Sequence, residues 1–270
     1  MLTCYDYATA ALCQQAGVDC LLVGDSLAQV VLGHANTLSA GMDIMVTLAA
    51  AVRRGAPEAY LVGDMPFLSY QVSTAEAIRN AGRFLVEAGC DAVKLELDHR
   101  YDDLVAALAR AGIPVMAHLG YRPQMAGQSC RVVETRAAEQ ACQLVKDAIS
   151  IVEAGACALL LECVTTAAAR AVTQRVEAPV IGCGSGPDCD GQVLVLHDVL
   201  GLSGAAQPRF SKTYARLDEA IRQAVSAYLE EVRGRRFPDG EHSYHMKPED
   251  QERFDRSLAG LDRKSQPPKD

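Results

Sequence analysis

The chain has 270 residues, of which 49% are hydrophobic and 22% are charged, and these proportions are typical of a globular protein rather than a disordered or fibrous one. Its formal net charge of -8 and the lack of a basic cluster argue against a nucleic-acid partner. No apolar run approaches the roughly 18 to 20 residues that span a bilayer, and the amino terminus does not resemble a signal peptide, so we expect a cytoplasmic protein without a membrane partner.

Short apolar runs alternate with helical patterns along most of the chain. The predicted strands are residues 2–5, 20–23, 59–62, 92–95, 113–117, 158–161 and 179–181, with an eighth near residues 199–202. Between them, residues 73–89 carry an amino-terminal Ser-Thr cap and end at Gly89, and residues 137–155 end in the same way. This alternation predicts parallel strands that are covered by helices.

The number and spacing of these units predict the fold class. Eight strand and helix units in about 230 residues fit a (βα)8 TIM barrel better than an open doubly wound sheet. We expect one barrel domain over residues 1–245, including a carboxy-terminal helix. Residues 246–270 are highly charged and weakly periodic, so they are expected to form a flexible tail.

Polar residues follow several of the predicted strands. The strand exits are Asp25 with Ser26, Asp64, Glu96, His118 and Glu162. In a barrel, the carboxy-terminal ends of the strands surround the mouth in which chemistry takes place. The sequence therefore predicts that these side chains meet at one site.

The acidic exits predict a metal site. Neighbouring carboxylates in a confined mouth repel each other, and a divalent cation relieves that repulsion. Oxygen ligation with few protein ligands suits Mg²⁺, so Asp25 and Asp64 are the expected ligands, with Glu96 as the holder of one of its waters. For any one acid taken alone, a role as a helix cap stays open.

Lys94 and Glu96 are two residues apart on a predicted strand, so their side chains face the same side. A lysine inside a barrel is costly without an anionic partner. We therefore expect Lys94 to bind a substrate carboxylate together with the Ser26 hydroxyl. A purely structural ion pair between Lys94 and Glu96 is the alternative.

Glu162 follows a strongly apolar strand, and such surroundings tend to raise a carboxyl pKa toward the range of a general base. Glu162 is thus the predicted proton acceptor. His118 is expected to contact the substrate and polarise one of its oxygen atoms, or to orient a partner residue. A hydrogen-bonded structural histidine is an equally open reading of His118.

Many of these residues lie in longer recognisable segments. The ordered segments are "YDYATA", "LLVGDSLAQVVLGHANTL", "AAVRRGAP", "LVGDMPF", "VKLE", "HLGYRPQ", "LLLECV", "PVIGCGSGPDCDGQVLVLHDVLG" and "GEHSYH". Over about residues 3–245 this order resembles the ketopantoate hydroxymethyltransferase family, whose members belong with the phosphoenolpyruvate mutase-like barrels. The resemblance implies transfer of a hydroxymethyl group from 5,10-methylenetetrahydrofolate to 3-methyl-2-oxobutanoate, which gives 2-dehydropantoate for pantothenate and coenzyme A biosynthesis.

The resemblance also implies roles for individual residues. Asp25 and Asp64 match Mg²⁺ ligands that also border the substrate, and Glu96 matches the third acid of the metal site. Ser26 and Lys94 match substrate contacts, while Glu162 matches the proton acceptor. By analogy with the family, we expect a homo-oligomer, commonly a decamer.

Several segments depart from the family pattern, and one of them bears on the choice of function. Residues 121–136, "YRPQMAGQSCRVVETR", lack the glycine- and lysine-containing stretch that the family has there. This change bears on folate binding more than on metal binding. Two alternatives therefore stay open: a related Mg²⁺-dependent 2-oxo-acid lyase or aldolase that does not use folate, and a non-catalytic barrel homologue.

Overall fold

A computed structural model describes residues 1–126, 134–203 and 208–262 of the chain. The chain forms two compact units, Met1–Arg216 and Leu217–Asp270. The boundary between these units lies earlier in the chain than the predicted change from barrel to tail at residues 245 and 246.

The first unit contains a sheet of eight parallel strands that pair in chain order. The strands are β1 Leu2–Thr3, β2 Cys20–Val23, β3 Tyr60–Asp64, β4 Ala92–Glu96, β5 Val115–Gly120, β6 Ala158–Glu162, β7 Val180–Cys183 and β8 Gly191–Gln192. A further parallel bridge joins Leu2 to Leu194, and the backbone N–H of Thr3 donates to the carbonyl of Leu194 at 3.1 Å. The segment after β8 therefore returns to β1, which confirms the predicted barrel class.

The eighth strand is not where the sequence predicted it. Residues 199–202 belong to the end of a helix, Leu196–Leu200, and to the turn at Gly201, whose φ is 72°. The extended segment lies earlier, where the Val193 N–H donates to the Gly182 carbonyl at 2.9 Å. The prediction near residues 199–202 is therefore wrong, because a short apolar run does not distinguish a strand from a buried helical turn.

Helices cover the strands of the first unit. They are α1 Tyr7–Gln15, α2 Leu27–Val30, α3 Met42–Gly55, α4 Thr74–Val86, α5 Asp102–Arg110, α6 Pro123–Ala126, α7 Ala138–Glu153, α8 Thr166–Thr173 and α9 Leu196–Leu200, with 3₁₀ turns at Thr37–Ser39 and His99–Tyr101. The predicted helices at 73–89 and 137–155 are confirmed as α4 and α7. Ser73 caps α4 by accepting from the Glu76 N–H at 3.2 Å, as the sequence indicated. Strands β7 and β8 are joined by residues 184–190 without a helix.

Alternation along the strands separates two apolar layers. One layer packs between strands and helices and includes Leu21, Leu61 and Val93. The other is a smaller cluster made by the alternate residues, Leu22, Val62, Ala92, Met116, Ala158, Leu160 and Val193. Because successive side chains of a strand point to opposite faces, the residues two positions after Val62, Ala92, Met116 and Leu160 share the face of this smaller cluster. Those residues are Asp64, Lys94, His118 and Glu162.

The second unit contains helices α10 Leu217–Arg233 and α11 Pro248–Asp262. The ring of Tyr228 on α10 contacts Phe237 edge-on, with 5.8 Å between the ring centroids. Helix α11 lies within the segment that was predicted to be a flexible tail. Among the described residues, no helix combines the length and the apolar character needed to cross a membrane.

Candidate active site

The carboxy-terminal ends of β2 to β6 bring the predicted site residues together. The strand register pairs Asp64 with Lys94 and Glu96 with His118. Asp25, Asp64, Lys94, Glu96 and His118 are all buried, and the side chain of Glu162 is 20% exposed. Five polar or charged side chains are thus buried beside one partly exposed carboxylate, which is the arrangement of a reaction site rather than of a structural core.

Asp64 links the ends of β2, β3 and β4. Its Oδ2 atom accepts from the backbone N–H of Asp25 at 2.9 Å. Its Oδ1 atom lies 2.8 Å from Nζ of Lys94 in a buried ion pair. The lysine that the sequence placed in the barrel therefore has an aspartate from the neighbouring strand as its closest anionic partner.

The charges of this cluster are unbalanced. Burial raises the pKa of Asp64 to about 7, although Lys94 acts to lower it. Burial also raises the pKa of Glu96 well above its usual value. For Lys94, burial acts to lower the pKa, but the surrounding carboxyl groups outweigh burial and the net direction is upward. One ammonium group therefore lies among three carboxyl groups, and additional positive charge would stabilise their ionised forms.

His118 connects this cluster to Glu162. Its Nδ1 atom lies 3.2 Å from Nζ of Lys94, and its Nε2 atom lies 3.3 Å from Oε2 of Glu162. Burial, followed by the nearby Lys94, lowers the pKa of His118, so the ring is neutral. Because the ammonium group can only donate, Nδ1 is the acceptor and Nε2 carries the proton toward Glu162. Nε2 nevertheless lacks the alignment of a normal hydrogen bond, so this contact is loose.

Ser26 lies at the start of α2, directly after Asp25. Its hydroxyl is 2.8 Å from the hydroxyl of Tyr5, which lies just beyond β1 and is buried. The Tyr5 contact holds the Ser26 hydroxyl next to Asp25 in the chain. Tyr5 was not assigned to the site from the sequence, although it begins the quoted segment "YDYATA".

Gln124 and Tyr70 are two further buried residues that sequence reasoning missed. The Gln124 side chain contacts Asp25, and its backbone N–H contacts Glu96, while the Tyr70 hydroxyl contacts both Gln124 and Glu96. Gln124 is the last residue of the segment "HLGYRPQ". That segment contributed to the family resemblance, but it did not indicate a role for Gln124. Tyr70 lies between β3 and α4, and no sequence motif indicated that it belongs to the site.

The segment 121–136, which departs from the family pattern, is only partly described. Its first residues, up to Ala126, and its last residues, from Glu134, have defined positions. Residues 127–133 of this segment lie outside the described residues, so its effect on folate binding stays a prediction.

The donor set fits a hard divalent cation. Asp64 Oδ1 is buried and makes no hydrogen bond of normal geometry, although Lys94 lies beside it. Within the described parts of the chain, no three His, Cys, Asp or Glu side chains are grouped closely enough to hold an ion by themselves. An ion at this site would therefore need oxygen atoms from water or substrate, and Mg²⁺ is the cation that retains such ligands.

Comparison with known protein sequences gives a consistent result. A sequence profile of the family described as "Ketopantoate hydroxymethyltransferase" matches residues 1–240. A 3-methyl-2-oxobutanoate hydroxymethyltransferase from Syntrophobacter fumaroxidans is 50% identical over 246 residues, which cover 91% of this chain and 87% of that protein. The resemblance found in the sequence is therefore confirmed over nearly the whole chain.

Solved structures with low sequence identity share the fold. A phosphoenolpyruvate phosphomutase from Streptomyces platensis subsp. rosaceus aligns with a TM-score of 0.60 at 16% identity, over 97% of this chain and 90% of that protein. A 2,3-dimethylmalate lyase, described as a member of the PEP mutase/isocitrate lyase superfamily, aligns with a TM-score of 0.57 at 18% identity, over 98% and 92%. These likenesses support the barrel architecture.

Proposed function

The chain belongs to the ketopantoate hydroxymethyltransferase family and is an enzyme with hydroxymethyltransferase activity, and we propose that it transfers this group from 5,10-methylenetetrahydrofolate to 3-methyl-2-oxobutanoate with Mg²⁺ at the buried acidic cluster. The observation that carries the proposal is the meeting of three buried carboxyl groups and one lysine at adjacent strand ends. A hydroxymethyltransferase needs a one-carbon donor, and folate is the donor that the family resemblance implies.

Asp25 and Asp64 are the proposed Mg²⁺ ligands, and Glu96 holds a water of the ion. When bound, Mg²⁺ supplies positive charge that balances the acids and makes the hydrogen next to the substrate carbonyl more acidic. Support for this assignment comes from the excess of acid over base in the cluster and from the Asp64 Oδ1 atom, which pairs with Lys94 but makes no hydrogen bond of normal geometry.

Lys94 and Ser26 are the proposed contacts of the 2-oxo acid. Lys94 is charged and buried, so bulk water does not surround its ammonium group. An anionic substrate group can therefore pair with this ammonium group without displacing such water. The Ser26 hydroxyl is held by Tyr5 and is available as a second polar contact. Together they orient the substrate so that its third carbon faces Glu162.

Glu162 is the proposed proton acceptor. Its carboxylate is partly exposed, unlike the other acids, and the neutral His118 ring lies 3.3 Å away. Glu162 takes the proton from the third carbon of 3-methyl-2-oxobutanoate, and that carbon forms a bond to the methylene carbon of the donor. The two bonds from the methylene carbon to the folate nitrogens break, and tetrahydrofolate leaves with two protons on these nitrogens, one from the substrate carbon through Glu162 and one from water. The hydroxyl oxygen of 2-dehydropantoate comes from one water, because the methylene group of the donor carries no oxygen. His118 lies between Glu162 and Lys94 and contacts both.

The proposal includes a homo-oligomer, as the family resemblance implies, and a cytoplasmic location, as the sequence features indicated. It is tested by measuring 2-dehydropantoate formation with Mg²⁺, with and without 5,10-methylenetetrahydrofolate, while following deuterium loss from the third carbon of the substrate. We expect product only when folate is present. Deuterium loss without product in the complete mixture would instead favour a folate-independent lyase or aldolase. The loss of both signals would favour a non-catalytic barrel.

A further inference from the structure

Gln124 occupies a position between two acids that come from different strands. It lies in the short helix α6, after β5, and is buried. Its backbone N–H donates toward both carboxylate oxygens of Glu96, at 3.2 and 3.0 Å. Its side-chain amide nitrogen donates to Oδ2 of Asp25 at 2.9 Å. One residue therefore holds the acid that ends β4 and the acid that follows β2.

The contacts of Gln124 fix the orientation of its amide group. Besides Asp25, its amide nitrogen donates to the backbone carbonyl of Met65 at 3.1 Å. A carbonyl can only accept, so the NH₂ group must face Met65 and Asp25. The amide oxygen consequently faces the Tyr70 hydroxyl, which donates to it at 3.1 Å. A glutamate at this position would place a carboxylate oxygen against two other acceptors, the Asp25 carboxylate and the Met65 carbonyl.

Tyr70 holds this arrangement from the other side. Its buried hydroxyl also lies 3.2 Å from the backbone carbonyl of Glu96 and accepts from the backbone N–H of Glu96 at the same distance. Tyr70 thus contacts the backbone of one acid directly and the side chain of the other acid through Gln124. Such outer hydrogen bonds restrict the rotamers of the groups that they hold.

We propose that Gln124 and Tyr70 are positioning residues that hold Asp25 and Glu96 at the separation needed to bind Mg²⁺. The inference rests on the proposed function, because it assigns these acids to the metal site. Neither residue reacts with the substrate. Their effect is to preorganise the acids, so their loss raises the Mg²⁺ concentration that the enzyme needs while the rate at saturating Mg²⁺ changes little.

The test compares Gln124→Met and Tyr70→Phe with a matched control, Tyr101→Phe. The Tyr101 ring contacts the Tyr70 ring edge-on at 6.4 Å, but Tyr101 lies outside the network of Gln124, Asp25 and Glu96. Mg²⁺ binding to the metal-free proteins is measured by calorimetry. Turnover is measured against Mg²⁺ concentration, and thermal unfolding in EDTA checks that each variant folds.

We expect Gln124→Met to weaken Mg²⁺ binding by about 10-fold to 100-fold, as is typical for loss of an outer-shell partner. Tyr70→Phe should weaken it by a smaller factor, and Tyr101→Phe should bind Mg²⁺ as the parent does. If Gln124→Met does not fold, Tyr70→Phe carries the test, because it removes only one hydroxyl group.

Unchanged Mg²⁺ affinity in folded variants, with only a lower melting temperature, would overturn the inference and leave Gln124 and Tyr70 with a structural role. The parent protein distinguishes this failure from failure of the proposed function. A parent that binds Mg²⁺ but forms no product overturns the proposed function alone, whereas a parent that binds no Mg²⁺ overturns both.

Discussion

On the β2–β4 side of the site, the acids are buried and receive hydrogen bonds or an ammonium group from other segments. On the β5–β6 side, the Glu162 side chain is 20% exposed, and the His118 ring that lies beside it is poorly aligned for a hydrogen bond. The first side resembles a fixed charge-binding site, and the second resembles a group that can move. A cation site gains from preorganised ligands, while a proton acceptor must reach a substrate atom and then release its proton. The contrast predicts that substitutions on the two sides affect different measurements.

The largest effect is expected for Glu162→Gln. The amide keeps the shape of the side chain but cannot accept the substrate proton, so deuterium loss from 3-methyl-2-oxobutanoate should slow by about 10² to 10⁴-fold. Nuclear magnetic resonance follows the exchange, and calorimetry should show Mg²⁺ binding close to that of the parent. Glu177→Gln is the matched control, since Glu177 is exposed just before β7, at the opposite end of the strands. Near-normal exchange in Glu162→Gln would remove this residue from the acceptor role.

Asp25→Asn should affect the other side of the site. Loss of an outer-shell partner typically weakens metal binding by about 10-fold to 100-fold. Loss of the carboxylate charge of a direct ligand should weaken Mg²⁺ binding by at least as much. Calorimetric titration with Mg²⁺ measures the loss. Asp19→Asn serves as the control because Asp19 is exposed and directly precedes β2, the strand that leads to Asp25. Equal Mg²⁺ affinities in the two variants would contradict the ligand assignment.

The pH dependence of stability tests the burial of Asp64. Its pKa is raised to about 7 in the folded chain, so between its ordinary value and 7 the folded state binds more protons than the unfolded state. Stability without metal should therefore fall as pH rises through this window, by up to about 1.4 kcal/mol per pH unit from this residue.

Urea unfolding in EDTA at several pH values between about 5 and 7 measures this dependence, and Asp64→Asn supplies the reference, since asparagine does not titrate. We expect the parent to lose stability relative to Asp64→Asn as the pH rises. Parallel curves for the two proteins would show that Asp64 does not titrate in this window.

The smallest effect is expected for Ser26→Ala. The change removes one hydroxyl that bonds Tyr5 and is proposed to contact the substrate, which costs about 1 kcal/mol. The KM for 3-methyl-2-oxobutanoate should rise by about fivefold, with kcat changed by less than about twofold. Tyr5→Phe removes the same bond from its other partner and should have a weaker effect in the same direction. A large fall in kcat for Ser26→Ala would place Ser26 in the chemical step.

Local sequence was sufficient for most of the fold and for the strand-end residues. Apolar runs of the right length predicted seven of the strands, and the cap at Ser73 with the stop at Gly89 predicted α4, because these signals act over a few neighbouring residues. The two-residue period of a strand predicted that Lys94 and Glu96 share a face, and their burial in the same cluster agrees with it.

Only the tertiary structure decided the place of β8 and the membership of Tyr5, Tyr70 and Gln124 in the site. Strand β8 has two residues, glycine and glutamine, and is defined by pairing rather than by any apolar pattern. Gln124 contacts Asp25 across 99 residues of sequence, and Tyr70 contacts Gln124 across 54. Hydrogen bonds of this kind depend on the closure of the barrel, which brings distant strand ends together and leaves no periodic signal in the chain.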